Sequence, residues 1–181
     1  LRASGTSDET ILDGNGTGPV VRCVSGENTS TILEGFTITN GSNEYGGGIV
    51  CWTLSNPTIT GCTITGNNAS YRGGGIDIYN GCNPTITDCN ISNNTSSNGG
   101  GIYCWSSSPT IAGCNVSNNT SANGGGIDCI NNSSPTITDC TISDNTVSES
   151  GGGIHCNTSS NPTLMNCIIN SNTAAQSGGG M

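Results

Sequence analysis

GGGIDIYNGCNPTITDCNISNNTSSN, residues Gly73 to Asn98, runs directly into GGGIYCWSSSPTIAGCNVSNNTSAN, residues Gly99 to Asn123. Both stretches carry a glycine triplet, an isoleucine beside it, a proline-led Thr-Ile pair, a cysteine and an SNNT tail. On either side the triplet opens three more units: GGGIVCWTLSNPTITGCTITGNNASYR upstream, then GGGIDCINNSSPTITDCTISDNTVSES and GGGIHCNTSSNPTLMNCIINSNTAAQS downstream. In chain order the five are 27, 26, 25, 27 and 27 residues long, and a sixth triplet begins at Gly178. Such a period marks a repeat architecture in which each unit is one winding that cannot bury its apolar face alone.

Within a unit, short alternating stretches are separated by turn residues, which reads as two or three strands per coil. Alternation sends Ile49, Cys51, Ile59, Cys62 and Ile64 inward and Val50, Thr58, Thr60, Thr63 and Thr65 outward. Stacking equivalent residues about 4.8 Å apart turns these into ladders. Ile49, Ile76, Ile102, Ile127 and Ile154 form one, Ile59, Ile86, Ile111, Ile137 and Leu164 a second, and Ile64, Ile91, Val116, Ile142 and Ile169 a third. Asn67, Asn94, Asn119, Asn145 and Asn172 recur at a turn, where left-handed geometry and amide bonding from coil to coil are expected. The triplets are expected to supply corners closed to any residue with a Cβ. The fold expected is a single all-β domain over residues 1–181, a parallel β-helix of about seven coils. Residues 46–177 hold the five regular repeats and 178–181 start a further coil. Residues 1–45 are degenerate coils, represented by TILDGNG, VVRC and TILEGFTITNG. Seven coils make a rod roughly 30 Å long.

Composition agrees. Of 181 residues only 31% are hydrophobic, with one Phe, and 29 are Gly. Glycine, Ser and Asn disfavour helices, and so thin an apolar content fits a narrow stacked interior better than a broad core. The three strong cations are Arg2, Arg22 and Arg72, against 12 carboxylates and a net charge of -9. Nucleic acid and anionic membranes are repelled by such a surface, and no apolar run of about 20 residues is available to span a bilayer. The segment starts without Met and stops after a triplet, so it reads as part of something longer.

GGGIxC, SPTIT-x-C and SNNT resemble the repeats of right-handed parallel β-helix proteins of the pectate-lyase-like superfamily, and within it the surface and secreted repeats akin to polymorphic outer-membrane proteins. The resemblance covers nearly the whole chain. It implies a right-handed solenoid and an extracellular or cell-surface setting. It leaves the activity open, because lyases, hydrolases, adhesins and passenger domains share this fold.

Eleven cysteines fall at two inward positions per coil. Pairing within coils is expected, Cys51 with Cys62, Cys104 with Cys114, Cys129 with Cys140 and Cys156 with Cys167. Ile78 replaces the first cysteine of the second unit, but Cys82 arrives in the same coil to face Cys89. Cys23 is left odd because Phe36 takes its partner's place. The alternative is a ladder of small buried thiols. No metal site or other cofactor is expected: no C-x-x-C spacing occurs, and His155, the single histidine, points outward.

Catalysis is not expected either. The outward position after the triplet isoleucine reads Val50, Asp77, Tyr103, Asp128, His155, which places two carboxylates two coils apart. No Arg or Lys is evident on that face, so both aspartates read as solvated. The alternative is a carbohydrate-binding or polysaccharide-degrading β-helix. Trp52, Tyr79 and Trp105 are expected to stack up one side, with Tyr103 nearby, as a contact for glycans or another subunit. Thr58 and Thr60, Thr85 and Thr87, and Thr136 and Thr138 offer a third reading, an ice-binding hydroxyl array interrupted at Ala112 and Met165. Of 13 Asn-x-Ser/Thr sequons, Asn68 and Asn132 are the expected glycan acceptors. Open strand edges at the two ends invite end-to-end self-association, so a fibre subunit or a fragment of a surface adhesin is the expected role.

Overall fold

The computed structural model describes residues 1–5 and 10–181. Among them every named strand pairing is parallel and no helix is present. Three long sheets run the length of the molecule, each taking one strand from every coil. The first contains Val21–Cys23, Ile49–Cys51, Ile76–Tyr79, Ile102–Trp105, Ile127–Ile130 and Ile154–Cys156. The second, built from the T-I segments, has six strands, and the third has seven because Ile11–Asp13 adds to its end. The coil is therefore wound about six times, with Ile11–Asp13 left from a partial first winding.

The ladders stack as the repeat requires. Ile76 registers with Ile49 and Ile102, and Ile127 with Ile102 and Ile154. The second and third columns are equally in register. The isoleucines from Ile49 through Ile142 in these columns are fully buried. Burying one such side chain stabilises by about 1.5–3 kcal/mol, so a chain with little apolar content still accumulates a core by hiding all of it in one continuous channel.

Two details of the corners differ from the sequence reading. Left-handed φ falls on the residue before each ladder asparagine, at Gly66, Asn93, Asn118, Asp144 and Ser171. Each ladder asparagine is thereby turned inward, where Asn119 Oδ1 accepts from the backbone N–H of Asn94 at 3.0 Å and from its Nδ2 at 3.1 Å. Asn119 Nδ2 in turn donates to Ile91 O and Asn145 Oδ1. In the triplets, only the first glycine has positive φ. The second and third are required by close approach: a Cβ on Gly74 would stand 2.5 Å from the carbonyl oxygen of Gly100 in the next coil.

The expected disulfides do not form, and all eleven cysteines are free thiols. Cys51 and Cys62 lie on different faces, as do Cys104 and Cys114, Cys129 and Cys140, and Cys156 and Cys167. Each first cysteine stacks instead on its equivalent one coil away, Cys23 on Cys51 and Cys104 on Cys129 on Cys156. Cys62, Cys89, Cys114, Cys140 and Cys167 form a second column, each thiol donating to a carbonyl of the preceding coil at 3.4–3.7 Å. Directly stacked residues hold their Cβ atoms about 4.8 Å apart, outside the roughly 3.5–4.5 Å that a disulfide needs. Cys82 does not face Cys89. It occupies the position two before the proline, filled elsewhere by the buried Ser55, Ser107, Ser133 and Ser160. That column carries its own bonds, such as the Ser107 N–H to Ser133 Oγ at 3.2 Å.

Candidate functional site

Val50, Asp77, Tyr103, Asp128 and His155 register along the outer face of the first sheet. Strand alternation sends them away from the core, as expected. They are not solvated, however. Asp77 is 0% exposed, Asp128 1% and Tyr103 5%, and Val50 is buried too. Over Asp77 and Tyr103 the cover comes from Ser42–Tyr45 and Asn68–Arg72, which precede two of the triplets and pair with each other, while His155 bonds Asp128. A register shift between Asn43 and Tyr45 marks a bulge in that pair, and bulges re-aim side chains. Tyr45, Tyr71 and Arg72 are thus laid back over the first sheet.

Arg72 is the centre of this cover. Its Nε donates to Asp77 Oδ1 at 3.0 Å, and Trp52 Nε1 donates to Asp77 Oδ2 at 2.7 Å. The guanidinium lies 4.6 Å from the Tyr45 ring centroid, 4.3 Å from that of Tyr79 and 5.4 Å from that of Tyr103. Tyr45 meets Trp52 and Tyr71 edge to face, and Tyr79 stacks on Trp105 with centroids 6.3 Å apart. Both Trp and all four Tyr residues of the chain are gathered here. Contrary to the sequence reading, a cation does lie on this face, Arg72. The three-ring stack is corrected as well: Tyr79 and Trp105 stack, whereas Trp52 turns to Tyr45 and Asp77 because a buried carboxylate demands its N–H.

Asp128 lies two coils on from Asp77, and His155 Nδ1 from the coil after it is 2.8 Å from Asp128 Oδ1. Beside this pair an open groove of about 320 Å³ runs between Tyr71, Asn123, Glu149 and His155. Burial pushes the Asp77 carboxyl up to about 6, against the opposing pull of Arg72, and raises Asp128 despite its bond to His155. The hydrogen bond to Asp128 raises the His155 imidazole. Burial also raises the Tyr103 phenol.

Asp77, Asp128 and His155 give stability of one sign. Asp77 and Asp128 hold their protons more tightly when folded, so the folded state gains as pH falls through their raised values toward the ordinary carboxylate range. The stability from His155 is complete below its unfolded value of about 6.5 and is lost as pH rises through the folded one. Asp13 and Glu27, which backbone or serine hydrogen bonds hold below their usual range, act oppositely and only at still lower pH. The melting temperature is therefore expected to rise as pH is lowered from about 8 to about 5; a flat or falling scan over that window contradicts the burial of these groups.

The other sequence-derived candidates make none of the Asp77 or Asp128 contacts. Asn68 and Asn132 are exposed, while the sequon asparagines Asn94 and Asn119 are buried in the ladder. The paired threonines lie along the second sheet, and Thr87 Oγ1 donates to Thr60 Oγ1 at 3.0 Å. Arg72, Tyr45 and Tyr71 were missed as site residues. A signal existed, since each is at or next to the last residue before a triplet in the two consecutive units that carry aromatics there.

The architecture defines a parallel β-solenoid, and the comparison with known families gives the same class. Residues 23–180 match the family model described as a right handed beta helix region, and the chain belongs to that family. The right-handed winding implied by the repeat motifs accords with it. No curated protein and no solved structure matches the chain.

Proposed function

We propose that this chain is a non-catalytic structural and adhesive β-helix that works outside the cell and holds glycans against its aromatic face. One observation carries the reading: every Trp and Tyr of an aromatic-poor chain is collected on one side of the rod. Tyr79 and Trp105 are partly exposed and Tyr71 is 50% exposed, which leaves aromatic surface available to the apolar faces of sugars. The acidic groups support binding over catalysis, because Asp77 is engaged by Arg72 and Trp52, and Asp128 by His155. An acidic surface rich in exposed Asn, Ser and Thr accords with a secreted setting.

The test uses Tyr79→Ser with Trp105→Ser, two rings that can be removed without touching the Asp77 bonds. Screened on an array of neutral, amino and acidic oligosaccharides, the unaltered chain is expected to bind and the double variant to lose about tenfold or more in affinity. Equal binding by both proteins, or none by the unaltered chain, defeats the proposal.

A further inference from the structure

We infer that the groove between Tyr71 and His155 binds a sugar unit bearing a protonated amine, the chemistry of an unacetylated amino sugar. The inference rests on the glycan-binding reading above and names the ligand class. Volume, shape and charge converge on it. The groove, about 320 Å³, is open along one side and is lined from four successive windings, which gives room for a sugar unit within a longer chain. Tyr71, 50% exposed, supplies a flat apolar wall, and its other contact, edge-on to Tyr45 at 5.8 Å, holds the ring in place.

Polar groups line the remaining walls. Asn98 Oδ1 and Asn157 Nδ2 face hydroxyls as acceptor and donor, while Asn98 Nδ2 donates to Tyr71 O and Asn157 Oδ1 accepts from the Thr158 N–H. Glu149 is fixed by Asn123 Nδ2, which donates to its Oε2 at 2.9 Å. The charge then selects among sugars. Two carboxylates, Asp128 and Glu149, face one imidazole, His155, so the groove is negative even with that ring protonated. The nearby guanidinium of Arg72 brings no compensation, because Asp77 binds it at 3.0 Å and Tyr45 and Tyr79 flank it. A uronic acid is repelled from such a groove. An ammonium gains a charge-assisted bond to Glu149, while neighbouring hydroxyls meet the amides.

The intact chain is titrated calorimetrically with glucosamine oligomers, N-acetylglucosamine oligomers of the same length, galacturonate oligomers and an oligolysine peptide. The amine form is expected to bind about tenfold tighter than its acetylated counterpart, with the galacturonate inert. Glu149→Gln is expected to abolish that preference, while Asp88→Asn, which removes the same charge from another face, keeps it. If amine and acetylated oligomers bind equally and Glu149→Gln changes nothing, the amine assignment is overturned and the glycan-binding reading stands. Absence of binding by every saccharide overturns both. Oligolysine binding as tight as the amino sugar assigns the groove to a protein ligand and overturns the sugar.

Discussion

Asn119→Ala is expected to cost about 2–5 kcal/mol, because it strips the buried Asn94 backbone N–H of its acceptor and takes a partner from the Asn94 amide at the same time. The neighbours cannot compensate from solvent, since Asn94, Asn119 and Asn145 are all fully buried. The missing Nδ2 adds to the loss, as it bonds Ile91 O one coil back and Asn145 Oδ1 one coil forward. Urea unfolding measures the effect, with Thr110→Ala as the reference: that residue is exposed, and its truncation should stay within about 0.5 kcal/mol. If the two variants unfold at the same midpoint, the asparagine column contributes no more than surface polarity does.

Arg72→Met carries a comparable expectation for a different reason. It leaves the Asp77 carboxylate buried without its counter-charge, for which a loss of about 3–5 kcal/mol is typical. The remaining Trp52 hydrogen bond cannot neutralise it. The second variant makes the cause visible: adding Asp77→Leu to Arg72→Met removes the stranded charge and should restore most of the stability, because apolar replacement of a buried ion pair is often neutral or better. A double variant no more stable than the single one places the damage in the lost ring contacts with Tyr45 and Tyr79.

Much of the fold was legible because its physics is periodic. Each inward isoleucine, each ladder asparagine and each triplet repeats at the coil length, so position in the unit alone assigned Ile76, Ile102 and Ile127 to one column. The spacing from each proline to its asparagine never changes, and the sheets it spans are the regular ones. Cys82 escaped the same logic, because its residue type suggested a replacement for the cysteine missing at Ile78, whereas its distance to Pro84 places it with Ser55, Ser107, Ser133 and Ser160. Pairing within coils also assumed that thiols sharing a coil were neighbours, whereas the nearest equivalent is one rise away.

The site was less legible because it breaks the period. Outward residues of a lone sheet face water, and on that rule Asp77 and Asp128 were read as solvated. What buries Asp77 is Arg72, which belongs to the preceding winding and reaches back through the bulged segment that ends in Tyr71 and Arg72. Unit lengths vary where this segment joins the triplet, and Glu149 lies in the corresponding place three coils on. Periodicity reports what all coils share. The irregular joints, where binding chemistry collects, are what it averages away.

The direction of the ladder bonds has a mechanical consequence. Backbone N–H groups of one winding point at carbonyls of the windings on either side, as from Gly74 to Gly99 and from Asn90 to Cys62, so these bonds lie nearly parallel to the long axis. Tension applied to the tips loads them in series, and the turns peel away one at a time at low force, like a zip. Force applied across the barrel loads whole sheets together and meets the stiffer response. An anchor gripping the flank of this molecule is accordingly stronger than one pulling on its end.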